Sequence, residues 1–104
     1  MIVRIFHNIA RDEQGRHAGF AGYRPGHQVE LVFAYSAEGS DDELLERAFF
    51  LTNIGSGPLA DAYRARGLRS LSVGDVLAIG QRYYGCDRIG WQPIERPARQ
   101  SIAA

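Results

Sequence analysis

Between Leu68 and Ile94 the chain reads LRSLSVGDVLAIGQRYYGCDRIGWQPI. Val73-Gly74-Asp75 is a turn, Val76 to Ile79 a short apolar run, and Gly80-Gln81 a second turn. Tyr83 and Tyr84 follow, then a Gly90-Trp91 corner. Runs of β-type residues punctuated by Gly and Asp are the pattern of a compact hairpin or three-stranded meander. Glycine reaches turn conformations at no steric cost, and Asp or Ser side chains bond nearby backbone. Gly74 is expected at positive φ, Val76 to Ile79 in the core, and Trp91 packed at the corner. Tyr83 and Tyr84 are neighbours on one strand, so they point to opposite faces.

Before this stretch lie two helices. Ser40-Asp41-Asp42-Glu43 is a capping box: the Ser40 hydroxyl accepts from the N3 amide while Glu43 reaches back to the Ser40 amide. The three carboxylates also suit the positive end of the helix dipole, so the acidic cluster reads as capping rather than as a functional patch. Leu44, Leu45, Ala48, Phe49 and Leu51 make one apolar stripe, and Gly55 offers a stop. A shorter helix opens at Gly57-Pro58 and runs to about Arg66, with Gly67 at its exit.

Earlier still, Ile2 to Asn8 is a strand with Val3, Ile5 and His7 on one face and Ile2, Arg4 and Phe6 on the other. His27 to Tyr35 alternates Val29, Leu31, Phe33 and Tyr35 against Gln28, Glu30, Val32 and Ala34, a near-strict period of two with one half-wet face. Residues 11–26 between these strands carry four glycines and Pro25 and have no period, so they form a long loop. Phe20 and Tyr23 are its natural anchors to the core.

Together these elements predict an α+β fold: a small mixed or antiparallel sheet of about four or five strands with two helices packed on one face, in the order β-β-α-α-β-β(-β). Residues 1–95 make the single domain, and residues 96–104 (RPARQSIAA) are expected to be a flexible C-terminal tail.

Composition narrows the function classes. The chain has 104 residues, 45% of them hydrophobic, and a formal net charge of zero, which argues against a generic polyanion binder. A single cysteine excludes an internal disulfide and favours a reducing, cytoplasmic setting. The longest apolar run, Leu31 to Tyr35, falls far short of the roughly 18–20 residues a membrane span needs, and the N-terminus carries no cleavage pattern. The charge is unevenly spread. Residues 1–63 hold five Arg against nine acids and residues 64–104 seven Arg against three, with no Lys anywhere. Arg forks suit carboxylate and phosphate, although the codon bias of a GC-rich genome explains the same composition more simply.

With the helix and hairpin placed, LERAFFLTNIG (45–55), RARGLRSLSVGDVLAI (64–79) and YYGCDRIGWQPI (83–94) together resemble the YodL-like domains, small modules that recur in proteins of mobile elements. The Ser70-to-Val76 motif with its Gly90-Trp91 corner is similar to short actinobacterial and actinophage proteins. Relatives often carry Ser at the Gly74 position and Phe at that of Trp91. The resemblance spans about half the chain and implies a mobile-element or phage accessory context with no catalytic residue.

No catalytic or cofactor motif appears. A zinc site needs three or four convergent ligands, and His7, His27 and Cys86 could supply them only if their strands meet. Cys86 reads better as a small buried residue than as a nucleophile, because along a strand Asp87 faces away from it. Gly55-Ser56-Gly57-Pro58 is no phosphate loop, since Pro58 removes an amide. The sequence therefore points to a non-enzymatic protein-interaction module with no cofactor and no metal. The nucleic-acid alternative uses an Arg and aromatic surface in the C-terminal half. The candidate contact residues are Arg64, Arg66, Arg69, Arg82 and Trp91, with Arg16, Tyr23 and Arg24 of the loop second. A protein partner is the main expectation, and self-association is a further one.

Overall fold

In the computed structural model, which describes residues 1–103, the elements are β1 (Ile2–Asn8), β2 (Val29–Ser36), α1 (Asp41–Asn53), α2 (Pro58–Ala65), β3 (Val76–Ile79), β4 (Arg82–Asp87), β5 (Gly90–Ile94) and β6 (Gln100–Ile102). The strands form one mixed sheet in the order β5-β4-β3-β1-β2-β6. All neighbours are antiparallel except β2 and β6, which run parallel. The α+β class and the β-β-α-α-β-β-β order follow the expectation from sequence.

The local signals act as their chemistry requires. Ser40 and Glu43 complete the capping box on α1. Pro58 starts α2, and Gly67 (φ 69°) closes it by donating its N–H to the Arg64 carbonyl at 2.8 Å. At the head of β3, Gly74 (φ 95°) packs against the 19–21 turn so closely that a Cβ would lie within 2.9 Å of the Gly19 Cα. Only glycine fits that backbone.

The sheet buries both faces. On the helical side Val3, Ile5, Leu44, Ala48, Tyr63 and Leu77 centre the larger core. On the other side Phe6, Val29, Val76, Ala78 and Tyr83 form a smaller one, closed by Tyr23 from the long loop. Tyr23 is thus the anchor that the loop reading anticipated, whereas Phe20 is exposed. The loop itself is held by an Arg11–His17 bridge, a turn around Asp12 and a short 3-10 turn at Gly19–Ala21.

Two features depart from the sequence expectation. The even alternation in β2 is broken, because the β1 register slips between Ile5 and Phe6 and leaves Val32 as the extra residue of a bulge. Phe33 and Tyr35 then pack with the helical core while Val29 and Leu31 pack on the opposite side. Residues 96–104 are the second departure. Gln100–Ile102 form β6 beside β2, tied by Val29 N–H to the Arg99 carbonyl and by Ala103 N–H to the Leu31 carbonyl, each at 2.9 Å. A three-residue edge strand carries no readable period. Its pairing is set by the open edge of β2, which lies about seventy residues away in sequence. Ala104 lies outside the described residues.

Candidate functional site

Several of the exposed large apolar side chains gather beside helix α1. Helix α1 buries Leu44, Leu45 and Ala48 against the sheet, but Phe49 and Phe50 fall outside that stripe. Phe50 is 55% exposed and Ile54, at the helix exit, 75%. With Leu59 of α2 and Trp91 of β5 they line a groove of about 1290 Å³ between the helix pair and the β4–β5 turn. Ile89, 91% exposed, stands in that turn. The rim carries Glu46 and Arg47 on α1 and Asp87 and Arg88 on the turn. Large contiguous apolar patches are rare on monomeric proteins and mark interaction surfaces. Cys86 lines the floor, buried, with its thiol pushed up to about 11 by desolvation and, secondarily, by the Asp75 and Asp87 charges. Burial of this kind disfavours the thiolate, the nucleophilic form.

The arginines singled out from sequence are placed differently from Trp91. Arg64 donates to the Gly55 carbonyl and lies 3.7 Å from Asp61. Arg66 reaches across to the Val32 carbonyl at 2.5 Å, so the spare acceptor of the β2 bulge has a cationic donor. Arg82 forks onto Asp41 at 2.7 Å through both Nε and Nη2, and Tyr84 donates its hydroxyl to the same carboxylate. Those bonds hold the Asp41 carboxyl at about 2, well below its usual range. Arg16 pairs with Asp12 at 3.0 Å. Arg24 is exposed with no side-chain partner among the described residues, and Tyr23 sits in the smaller core. These residues do not converge: Trp91 belongs to the groove, and the arginines pin α2, the bulge and the β4 end.

Arg69 is the most committed of them. Its guanidinium forks onto Asp75, Nη1 to Oδ2 at 2.6 Å and Nη2 to Oδ1 at 2.7 Å. Asp75 is fully buried and also accepts the backbone N–H groups of Asn8 and Ser72, each at 2.9 Å. Asn8 in turn donates through Nδ2 to the Gly74 carbonyl at 3.0 Å. The Ser-Val-Gly-Asp turn therefore bolts the head of β3 to the end of β1. That carboxylate is the residue whose importance turn chemistry understated: the sequence shows an Asp beside a Gly, but not the buried position.

His7, His27 and Cys86 do not gather into one cluster. Among the described residues no group of three or more His, Cys, Asp or Glu side chains is disposed to hold a metal ion. No described helix is long and apolar enough to cross a membrane. The chain matches no protein-family model, no curated protein and no solved structure.

Proposed function

We propose that the protein is a non-enzymatic interaction module that receives an amphipathic helix of a protein partner in the groove between α1, α2 and the β4–β5 turn. The observation that carries this reading is the exposure of Phe50 and Ile54 beside Leu59 and Trp91 on a single concave surface. The occupant follows from size and charge. At about 1290 Å³ the groove exceeds the roughly 300–1,000 Å³ typical of small-molecule sites, so it suits a polypeptide segment. Its rim holds two carboxylates and two guanidiniums, which complement a helix flanked by both charge signs and disfavour a polyanion. The nucleic-acid alternative rests on Arg64, Arg66, Arg69, Arg82 and Arg88 with Tyr83, Tyr84 and Trp91; the first four each spend at least one donor on an acceptor within the chain, and Arg88 stands on the mixed-charge rim. The likeness of residues 45–94 to YodL-like domains supports a mobile-element or phage accessory setting for such a module.

The test is a photo-crosslinker placed at Phe50 in the native host, followed by affinity measurement on the captured segment as a peptide. The expected product maps to an amphipathic helix. Ile54→Asp then weakens binding by roughly thirtyfold, the effect of losing one hot spot of about 2 kcal/mol. Ile54 is solvent-exposed, so the variant stays folded and loses only the roughly 0.3–1 kcal/mol that a carboxylate costs at a helix C-terminus. Crosslinks only to nucleic acid or only to a second copy of this chain, or an Ile54→Asp protein that binds the peptide normally, refute the reading.

A further inference from the structure

Apart from the groove, with which it shares no lining residue, a smaller pocket of about 360 Å³ at the end of β1 has a polar wall: His7, Arg11, His17, Glu30, Arg69 and Ser72. Two of these are already satisfied. Arg69 is forked onto Asp75, and the Ser72 hydroxyl accepts from Arg69 Nη1 at 3.3 Å. Arg11 and Glu30 have no ion-pair partner among the described residues and do not pair with each other.

Proton bookkeeping fixes the state of His7. The Tyr63 hydroxyl lies 2.6 Å from the Arg69 carbonyl, which can only accept, so the phenol proton points there. The phenol has no second proton. The 2.9 Å contact between Tyr63 Oη and His7 Nε2 must then be donated by the imidazole. Neutral His7 therefore carries its proton on Nε2, and Nδ1 is a lone-pair acceptor. Burial and, after it, the Arg69 charge lower the pKa of His7 and so favour the neutral ring, against smaller raising effects of the Asp75 charge and of a hydrogen bond to the Arg69 backbone. The side chain is 93% buried by its 7% exposure, and no buried side-chain nitrogen or oxygen among the described residues lacks a partner. Nδ1 has no protein partner, so this edge of the ring meets the pocket.

The pocket thus presents one unpaired cation, one unpaired anion and one aimed lone pair. Arg11 and Arg69 balance Glu30 and Asp75, so a simple anion or a simple cation gains no net Coulomb attraction there. A dipolar ligand does. We propose that this pocket binds a small free α-amino acid as its zwitterion, with the carboxylate on Arg11 and His17 and the ammonium donating to His7 Nδ1 and Glu30. The volume admits a residue of the size of glycine or serine together with ordered water. Arg suits the carboxylate because its planar fork matches two oxygens. An ammonium brings three donors, of which the two acceptors use two.

The experiment is a long-range ¹H–¹⁵N spectrum of the imidazoles in the labelled full chain, titrated with glycine, L-serine, acetate and methylammonium. The free protein is expected to show His7 as the Nε2–H tautomer. Glycine or L-serine shifts the His7 Nδ1 and His17 signals and binds at least about tenfold more tightly than either half-ligand, because each half leaves polar groups of the site unpaired. Arg11→Gln and Glu30→Gln each weaken binding at least about tenfold with the melting temperature unchanged. Acetate binding as tightly as glycine would reduce the pocket to an anion site, and methylammonium doing so would reduce it to a cation site. Either result overturns the proposal, as does an Nδ1–H tautomer or the absence of any shift with both amino acids.

Discussion

Asp75→Asn removes one charge from the most buried polar group of the fold and changes almost nothing in volume. Each carboxylate oxygen accepts two N–H groups: Oδ1 takes Asn8 N and Arg69 Nη2, and Oδ2 takes Ser72 N and Arg69 Nη1. In either amide orientation the new NH₂ faces two donors, orphaning one backbone N–H at a cost of about 1–3 kcal/mol. The fork from Arg69 loses its charge-assisted partner as well, and breaking a buried pair from one side typically costs about 3–5 kcal/mol. Arg69 keeps 44% of its side-chain surface in water, so its own desolvation is partial and the lower end applies, about 3 kcal/mol. Against a total of roughly 5–15 kcal/mol this is a large fraction, and it corresponds to a fall in Tm of roughly 12–24 °C for a domain of this size. Urea denaturation followed by Trp91 fluorescence measures it directly. Arg69→Met separates the two components: it leaves the buried carboxylate with its backbone donors but without a counter-charge, and it is expected to cost somewhat less than Asp75→Asn. A loss below about 1 kcal/mol for Asp75→Asn would refute the view that this carboxylate bolts β3 to β1.

Three more outcomes are expected. Gly74→Ala forces a Cβ against the Gly19 backbone at positive φ and should cost roughly 3 kcal/mol or more, whereas Gly80→Ala (φ 59°, nearest neighbour 4.0 Å) should cost only about 1 kcal/mol in the same denaturation assay. Ending the chain before Gln100 removes β6 and bares the edge of β2; light scattering should show more aggregation, with a stability loss of roughly 1–3 kcal/mol. The Arg82 bonds depress the Asp41 carboxyl to about 2, below its unfolded value of about 3.9, so their stabilisation is complete above about pH 4 and disappears as the pH falls through 2. Arg82→Gln should therefore be slightly less stable than the parent at pH 7, and the difference should vanish as the pH falls through 2.

Most of the fold was legible because its signals are local. The capping box at Ser40, Pro58 at the first turn of α2 and Gly74 at positive φ each depend on residues within a few positions of one another. The bulge at Val32 and the strand Gln100–Ile102 depend on partners far away. A strict period of two across Val29 to Tyr35 is a correct description of the sequence and still gives the wrong facing for half the strand. One inserted residue exchanges faces without changing composition. The tail fails for the opposite reason, since three residues at an edge need no pattern of their own when β2 supplies the template.

The same distinction governs the site. A run such as Arg64, Arg66 and Arg69 tells how much positive charge a segment carries and nothing about whether a carbonyl or a carboxylate waits within reach. Arg66 finds the bulge carbonyl, and Arg69 the fully buried Asp75. Guanidiniums bound this way raise the precision of the fold rather than the affinity of a surface. The apolar groove did leave a trace in the sequence: Leu44, Leu45 and Ala48 fill the buried stripe of α1, and Phe49 and Phe50 add apolar surface beyond it. That surface meets either water or a partner. The polar pocket left less, because His7, His17 and Glu30 come together only through the β1–β2 pairing and the loop between them. Groove and pocket share no lining residue, so a variant that abolishes one should leave the other intact. Ile54→Asp must not alter the imidazole spectrum of His7, and Glu30→Gln must not alter crosslinking from Phe50. A single substitution that abolished both would mean that the two surfaces are coupled through the sheet, and the two readings would then have to be replaced by one.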